Sequence, residues 1–413
     1  MSFDRLWADL LPIGRSTDDG GGYHRYSWTG ADTDVRAWFT EAAAARGLDV
    51  RTDRNGNLWA WWGAPGPGAV ATGSHLDSVP DGGAFDGPLG VVSALAAVDE
   101  LRARGFVPER PLAVGVFVEE EGARFGVPCL GSRLSTGGID PDRARSLTDA
   151  SGVTWAAAME AAGLDPEGIG PDPGLAESFD VFVELHVEQG RALADTPHAV
   201  GVAGSIWPHG RWRMDFTGRA DHAGTTRLVD RADPMLPLAH TILAARALAE
   251  SHDARATVAK AHITPNGTNA IPSLVSAWLD ARAADEAALT AVVEGVREAA
   301  EKTSRDHGVV HTMAAESTTP LVEFSHSLRD RLAATLGERV AEADGPVPIL
   351  PTGAGHDAGV LSAHVPTAML YVRNPTGVSH SPHEWADPED RHAGVRALAD
   401  VLADLLSTPG GGA

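Results

Sequence analysis

Histidines and carboxylates recur along this chain in settings where they could hold divalent cations. Residues 73–86, Gly-Ser-His-Leu-Asp-Ser-Val-Pro-Asp-Gly-Gly-Ala-Phe-Asp, supply His75, Asp77 and Asp86. Glu120-Glu121, His186 and His380 follow downstream. A divided set of nitrogen and oxygen donors suits two divalent metals, and with them a hydrolase that splits an amide-type bond using metal-activated water.

Each donor has a bland reading beside the sharp one. His75 and Asp77 are two apart at an expected strand end. A neutral imidazole can bind metal through one nitrogen while the carboxylate fixes the ring. An isolated His-x-Asp is more often an ordinary polar pair, but the glycine-rich setting ahead of a helix favours the metal. Asp86 lies in that loop, and its two oxygens can bridge ions ~3.5–4 Å apart. Glu119-Glu120-Glu121-Gly122 closes an apolar run. Standing alone it would read as a solvated acidic turn. Carboxylates at the end of a buried strand are costly unless a cation neutralises them. Neighbouring residues at a strand end diverge, so one glutamate can ligate while the next acts as general base. His186 shares a strand face with Glu184 and Glu188, and the amide of Gln189 can reach a polar substrate. His380 and His383 are rival donors in the polar loop 378–385. Cys129, the single cysteine, reads as a small buried hydrophobe.

The elements that position these residues follow from apolar periodicity. A helix is expected over 33–46, capped at Asp32 or Thr33, with strands at 57–62 and 69–73. Val91, Leu95, Val98 and Leu101 predict a helix over 88–104, and the apolar run 111–118 a strand buried on both faces. Residues 179–187 alternate, with Val181, Val183, Leu185 and Val187 on one side. Interleaved strands and helices predict an α/β sheet with the candidate ligands at strand ends.

The middle of the chain changes character. Strands at 211–218, 256–264, 273–283 and 309–317, with helices at 234–249 and 285–303, give a β-α-β-β-α-β order, the ferredoxin-like arrangement. The expected architecture is therefore α/β: a mixed-sheet di-metal catalytic domain in two parts, 1–206 and 318–413, with an inserted α+β domain at 207–317. Residues 201–204 and 318–320 read as hinges. Helices near 325–343 and 389–407 and a strand at 367–372 complete the pattern, and the glycine-rich tail 409–413 reads as disordered.

Bulk properties narrow the function classes. The 413 residues are 43% hydrophobic and 22% charged, ordinary for a globular protein and too long for one typical core. A formal net charge of −23 argues against nucleic acid or anionic lipid as partner. No apolar run approaches the ~20 residues of a membrane span. The N-terminal residues lack a signal-peptide pattern and the lone cysteine fits a reducing compartment, so the expected location is cytoplasmic.

Six motifs appear in order: Gly-Ser-His-Leu-Asp-Ser-Val, Glu-Glu-Gly-Ala-Arg-Phe-Gly, Glu-Leu-His-Val-Glu-Gln-Gly, Asp-His-Ala-Gly-Thr-Thr, Pro-Asn-Gly-Thr-Asn-Ala-Ile-Pro and Gly-Ala-Gly-His-Asp-Ala. On these the chain resembles the M20 metallopeptidase-like hydrolases, in the branch of N-carbamoyl-L-amino-acid hydrolases, allantoate amidohydrolases and β-ureidopropionases. The resemblance implies His75 and His186 as terminal metal ligands, Asp86 as the bridging carboxylate, and Glu121 and His380 as the remaining ligands. It implies Glu120 as general base, which anchors the frame of the Glu119-Glu120-Glu121 triplet on Glu-Glu-Gly. Asp77 corresponds to the residue that orients the first histidine. His383 matches a variable position and is discounted. A histidine at 186 separates this branch from peptidase-like and aminoacylase-like members, which usually carry a carboxylate there.

The resemblance further implies that the inserted domain is a lid and dimerisation domain, making the protein a homodimer. His222 would stabilise the tetrahedral oxyanion in the partner's site. Asn269 and Arg282 would hold a substrate carboxylate, with Gln189 and His356 as further substrate contacts. The implied activity is hydrolysis of a linear ureido or amide C–N bond in a carboxylate-bearing small molecule, with two divalent ions (Zn, Mn, Co or Ni) per subunit. An aminoacylase or dipeptidase on the same scaffold is the alternative. A catalytically silent binding protein is disfavoured by the full donor set.

Overall fold

The computed structural model describes residues 2–17, 20–339 and 345–407. The chain divides into two compact units, Met1–Gly204 with Glu323–Ala413, and Ser205–Val322.

The first unit is built on a mixed sheet. Its strands lie in the order Asp49–Thr52, Leu58–Trp62, Leu112–Phe117, Ala69–His75, Phe179–Val187, Thr367–Val372, Val200–Ile206 and Val322–Glu323, with Ile349–Thr352 also paired to Val200–Ile206. The central four are mutually parallel, and the flanking pairs are antiparallel. Leu112–Phe117 and Ala69–His75 are buried at every residue, which is why both read as continuous apolar or small-residue runs without alternation. Parallel pairing has a direct consequence for chemistry. It brings the carboxyl ends of the four central strands to one edge of the sheet, where open α/β sheets bind ligands. The register aligns His75 with Phe117 and His186 with Tyr371.

The helix Pro88–Ala103 starts immediately after the Asp86 loop, with Pro88 at its first turn. It packs against the sheet and against Pro388–Leu406, so nearly its whole circumference is apolar. Leu89, Leu95 and Leu101 are each fully buried there, and each contributes ~1.5–3 kcal/mol by its removal from water. A smaller core gathers Trp28, Phe125, Leu130, Trp155 and Met159 beside the Glu119–Glu121 segment.

The second unit has a four-stranded antiparallel sheet in the order Val310–Thr319, His209–Thr217, Leu274–Arg282, Arg255–Thr264. Numbered along the chain this is 4-1-3-2, the ferredoxin-like order the β-α-β-β-α-β pattern predicts. Trp212, Met214 and Phe216 alternate inward with Val275, Ala277 and Leu279 under the helices Met235–Ser251 and Glu286–Asp306. A two-residue ladder, Asp221–His222 with Ala270–Ile271, forms a separate small sheet.

Several local expectations need correction. The helix over 33–46 begins earlier, at Gly30–Ala44, and its cap is Thr29. The Thr29 side chain accepts from the backbone N–H of Asp32, while the Asp32 carboxylate accepts from Trp28 N–H, a reciprocal arrangement at a helix start. Asp32 is thus a first-turn residue. Residues 201–204, expected as a hinge, lie in the strand Val200–Ile206, paired with Thr367–Val372, and the first unit's leading segment ends at Gly204. Their glycines pass close beneath neighbouring chain. Residues 318–319 likewise end the strand Val310–Thr319. The helix expected over 325–343 spans His326–Gly337, and residues 340–344 lie outside the described residues, as does the tail 409–413. Among the described residues no helix is long and apolar enough to cross a membrane.

Candidate metal centre

His75 ends its strand with the ring fully buried. Its Nδ1 lies 3.1 Å from the carbonyl oxygen of Asp77. A carbonyl only accepts, so Nδ1 carries the proton and in the neutral ring Nε2 presents a lone pair. His186 repeats the arrangement, with Nδ1 2.9 Å from the carbonyl of Val187. Both Nε2 atoms face the same oxygen: Asp86 Oδ1 is 3.4 Å from His75 Nε2 and 3.3 Å from His186 Nε2. The second oxygen, Oδ2, is 3.5 Å from His380 Nε2, and that nitrogen is 3.4 Å from Glu121 Oε2. Gly87, with φ +81°, lets the loop close over His75, since a Cβ there would lie 2.5 Å from the imidazole ring.

These separations are too long for charge-assisted hydrogen bonds, which run ~2.7–2.9 Å. They match the edge of a coordination tetrahedron: two donors ~2.1 Å from one ion are ~3.4 Å apart. His75, Asp86 and His186 form one group whose donor atoms lie within 4.8 Å of one another, and Asp86, Glu121 and His380 form a second that shares Asp86. His75 Nε2 is buried without a hydrogen-bond partner. An orphaned lone pair facing carboxylates fits a site for a cation. Imidazole and carboxylate donors suit Zn, Mn, Co and Ni alike.

The electrostatics call for positive charge. Burial opposes ionisation of His75, yet Glu120, Asp77 and Asp86 raise its pKa well above the ordinary value. Asp86 is held well below the usual carboxylate range, against burial, by His186 and His75. Burial, with Asp86 and Glu120 close by, pushes Glu121 well up. Burial, eased by His75 and reinforced by Asp77, lifts Glu120 to about 7. So many buried carboxylates are stable together only with protons or cations among them.

The three consecutive glutamates part company. Glu119 adopts φ +54°, and its carboxylate turns away to accept the backbone N–H groups of Arg124 and Phe125. Glu120 points at the cluster, with Oε2 3.6 Å from His75 Nε2 and Oε1 3.4 Å from the Cys129 thiol. Glu121 faces His380. Asp77 meets both His75 and the glutamate turn. Its carboxylate is 3.5 Å from His75 Nδ1 and is taken up by the backbone N–H groups of Glu120 at 3.2 Å and Glu121 at 3.0 Å. The backbone carbonyl of Asp77 is the closer partner of the ring.

Gln189 donates from Nε2 to Asp86 Oδ2 at 2.7 Å, while its Oε1 is buried without a hydrogen-bond partner. His356 is buried with its ring 4.5 Å from that of His186. His383 is exposed and contacts Ser381, outside the donor groups found among the described residues.

In the second unit, His222 is exposed, and its Nδ1 accepts the N–H groups of Gly224 and Thr225 at 2.9 and 3.2 Å. In the neutral ring its Nε2 is therefore a donor. Asn269, also exposed, accepts Ala223 N–H with its backbone carbonyl. Arg282, expected to hold a substrate carboxylate, is engaged by both oxygens of Asp280, at 2.9 and 3.2 Å. An acidic residue two positions earlier on the same strand face supplies the counter-charge.

Glu384 belongs to the same centre, though no motif of the sequence marks it. It is buried, and its Oε2 accepts the backbone N–H groups of Phe85 and Asp86 at 2.8 and 2.9 Å. The Ser379 hydroxyl lies 3.0 Å from Asp86 Oδ2 and 3.2 Å from Glu384 Oε1. No periodicity links residues so far apart in the chain. The only local hint is an acidic residue inside an otherwise neutral His/Ser/Pro loop.

The model of peptidase family M20/M25/M40 matches residues 71–404. The N-carbamoyl-L-amino acid amidohydrolase of Geobacillus stearothermophilus is 35% identical over 97% of this chain and 98% of its own. The ureidoglycolate hydrolase of Arabidopsis thaliana is 32% identical over 92% of this chain and 82% of its own. A solved amidase of the hydantoinase/carbamoylase family from Burkholderia vietnamiensis superposes with a TM-score of 0.89 at 28% identity, over 99% of this chain and 98% of that one.

Proposed function

The chain belongs to peptidase family M20/M25/M40, and on that premise we propose that it hydrolyses a linear ureido or amide C–N bond in a carboxylate-bearing small molecule, such as an N-carbamoyl-L-amino acid or allantoate. The observation that carries this reading is Asp86, whose two oxygens face His75 and His186 on one side and His380 on the other. The curated relatives act, by their names, on N-carbamoyl amino acids and ureidoglycolate.

In this reading His75, His186, Asp86, Glu121 and His380 hold two divalent ions, with Asp86 between them. Such ions, when bound, acidify water toward pKa ~7 and polarise the scissile carbonyl. Glu120 accepts the proton of the attacking water and returns it to the departing nitrogen. Asp77 keeps Glu120 and Glu121 in place through their backbone N–H groups.

The second unit would serve as lid and dimerisation domain in a cytoplasmic homodimer. His222 would donate from Nε2 to the developing oxyanion. Asn269 would bind the substrate carboxylate, as would Arg282 once it exchanges Asp280 for the ligand, with Gln189 and His356 lining the substrate.

The test is ammonia release by protein reconstituted separately with Mn, Co, Ni and Zn. N-carbamoyl-L-amino acids, N-carbamoyl-β-alanine, allantoate, N-acetyl amino acids and dipeptides would be offered. Ammonia from a ureido compound is the expected result. New amine without ammonia, from acetylated or peptide substrates, would instead make the protein an aminoacylase or dipeptidase.

A further inference from the structure

Two segments distant in sequence, 83–86 and 379–384, are stapled together by one buried side chain. Glu384 contributes no donor to the groups around Asp86 among the described residues. Its Oε2 instead accepts the consecutive backbone N–H groups of Phe85 and Asp86, and its Oε1 is 3.2 Å from the Ser379 hydroxyl. Ser379 in turn lies 3.0 Å from Asp86 Oδ2 and precedes His380. One carboxylate therefore grips the backbone that presents Asp86 and the loop that presents His380.

The seat around it is built to fit. A Cβ on Gly83 would fall 2.4 Å from Glu384 Oε2, so only glycine there leaves room for the carboxylate. His380 has φ +53°, a conformation that β-carbon residues adopt only when their surroundings hold them. Its side chain is about half exposed, so packing alone does not fix it. The two amides that Glu384 satisfies would otherwise be buried donors without partners.

We infer that Glu384 is a positioning residue that sets the spacing between Asp86 and His380 and thereby the affinity of the second ion position. This rests on the reading of Asp86 and His380 as metal ligands. Groups that hold ligands in place typically carry ~10–100-fold in metal affinity.

The experiment compares cobalt uptake by the full-length chain and its variants, using chelator competition, the visible spectrum of the bound ion, and circular dichroism of the metal-free protein. Wild type should take up two ions. Glu384→Ala should bind one of them ~10–100-fold more weakly, with an altered visible spectrum and an unchanged metal-free fold. Glu384→Gln, whose amide oxygen can still accept both N–H groups, should retain most of the affinity. Gly83→Ala, which leaves Glu384 in the chain but fills its seat, should weaken the same ion. If Glu384→Ala does not fold, Glu384→Asp, one methylene too short to reach both loops, decides the matter and should also lose affinity for one ion. Wild-type affinity and spectrum in these variants would overturn the inference while leaving the metal centre standing. A wild-type protein that takes up no divalent ion would sink the proposed function and this inference with it.

Discussion

The carboxylate of Asp77 closes on the backbone N–H of Glu121 at 3.0 Å and of Glu120 at 3.2 Å. Its own carbonyl oxygen accepts from the ring of His75. One residue thus ties the end of the strand Ala69–His75 to the turn that follows its parallel neighbour, Leu112–Phe117. Replacing Asp77 with alanine leaves the carbonyl contact but frees the turn. The expected outcome is a ~10–100-fold loss in metal affinity together with a fall in kcat. Equilibrium metal titration checks it, and unchanged affinity with unchanged kcat would mean that the turn holds its shape unaided.

Glu120 and Glu121 are adjacent yet are assigned different tasks. Glu120→Gln should lower kcat by ~10²–10⁴-fold while metal content stays near wild type. Loss of metal alongside activity would show that base and ligand have been interchanged. His222→Ala should also lower kcat, by ~10²–10³-fold, without loss of metal. Mixing the two inactive variants should restore part of the activity if sites are shared between subunits, and no recovery on mixing would confine each site to one chain.

Asp86 and His380 should differ in what their removal does to stoichiometry. Asp86→Ala takes a donor from both groups and should abolish tight binding of both ions, whereas His380→Ala should leave one ion bound. Metal analysis after gel filtration reads this directly. Equal losses in the two variants would rule out a bridging Asp86.

Glu119 supplies a pH signature. Burial first, then the charge of Asp77, lifts it from an ordinary 4.5 to about 7. The folded chain therefore keeps a proton that the unfolded chain releases at lower pH. This contribution to stability is fully present below the ordinary value and is lost as pH rises through about 7. Glu119→Gln keeps an acceptor for Arg124 and Phe125 N–H and removes the titration. In metal-free protein it should reduce the stability difference between pH 5 and pH 8 by ~1–3 kcal/mol. Urea unfolding at the two pH values measures it, and an unaltered difference would assign that pH dependence to other groups.

The sequence by itself carried the donor types and the order of the elements. Asp86 stands in its glycine-rich loop, His186 opposes the apolar face of its strand, and the β-α-β-β-α-β block yields the 4-1-3-2 sheet. These are readable because periodicity, glycine placement and residue type are local properties of the chain. Tertiary structure decided the rest. It turned Glu119 away and Glu120 inward through a left-handed residue, committed Gln189 to Asp86 and Arg282 to Asp280, and set Glu384 under the Asp86 loop. Parallel pairing of strands far apart in sequence chooses which loops become neighbours. A side chain's partner is then settled by which buried N–H or charge lies within ~3 Å, and no local pattern encodes that.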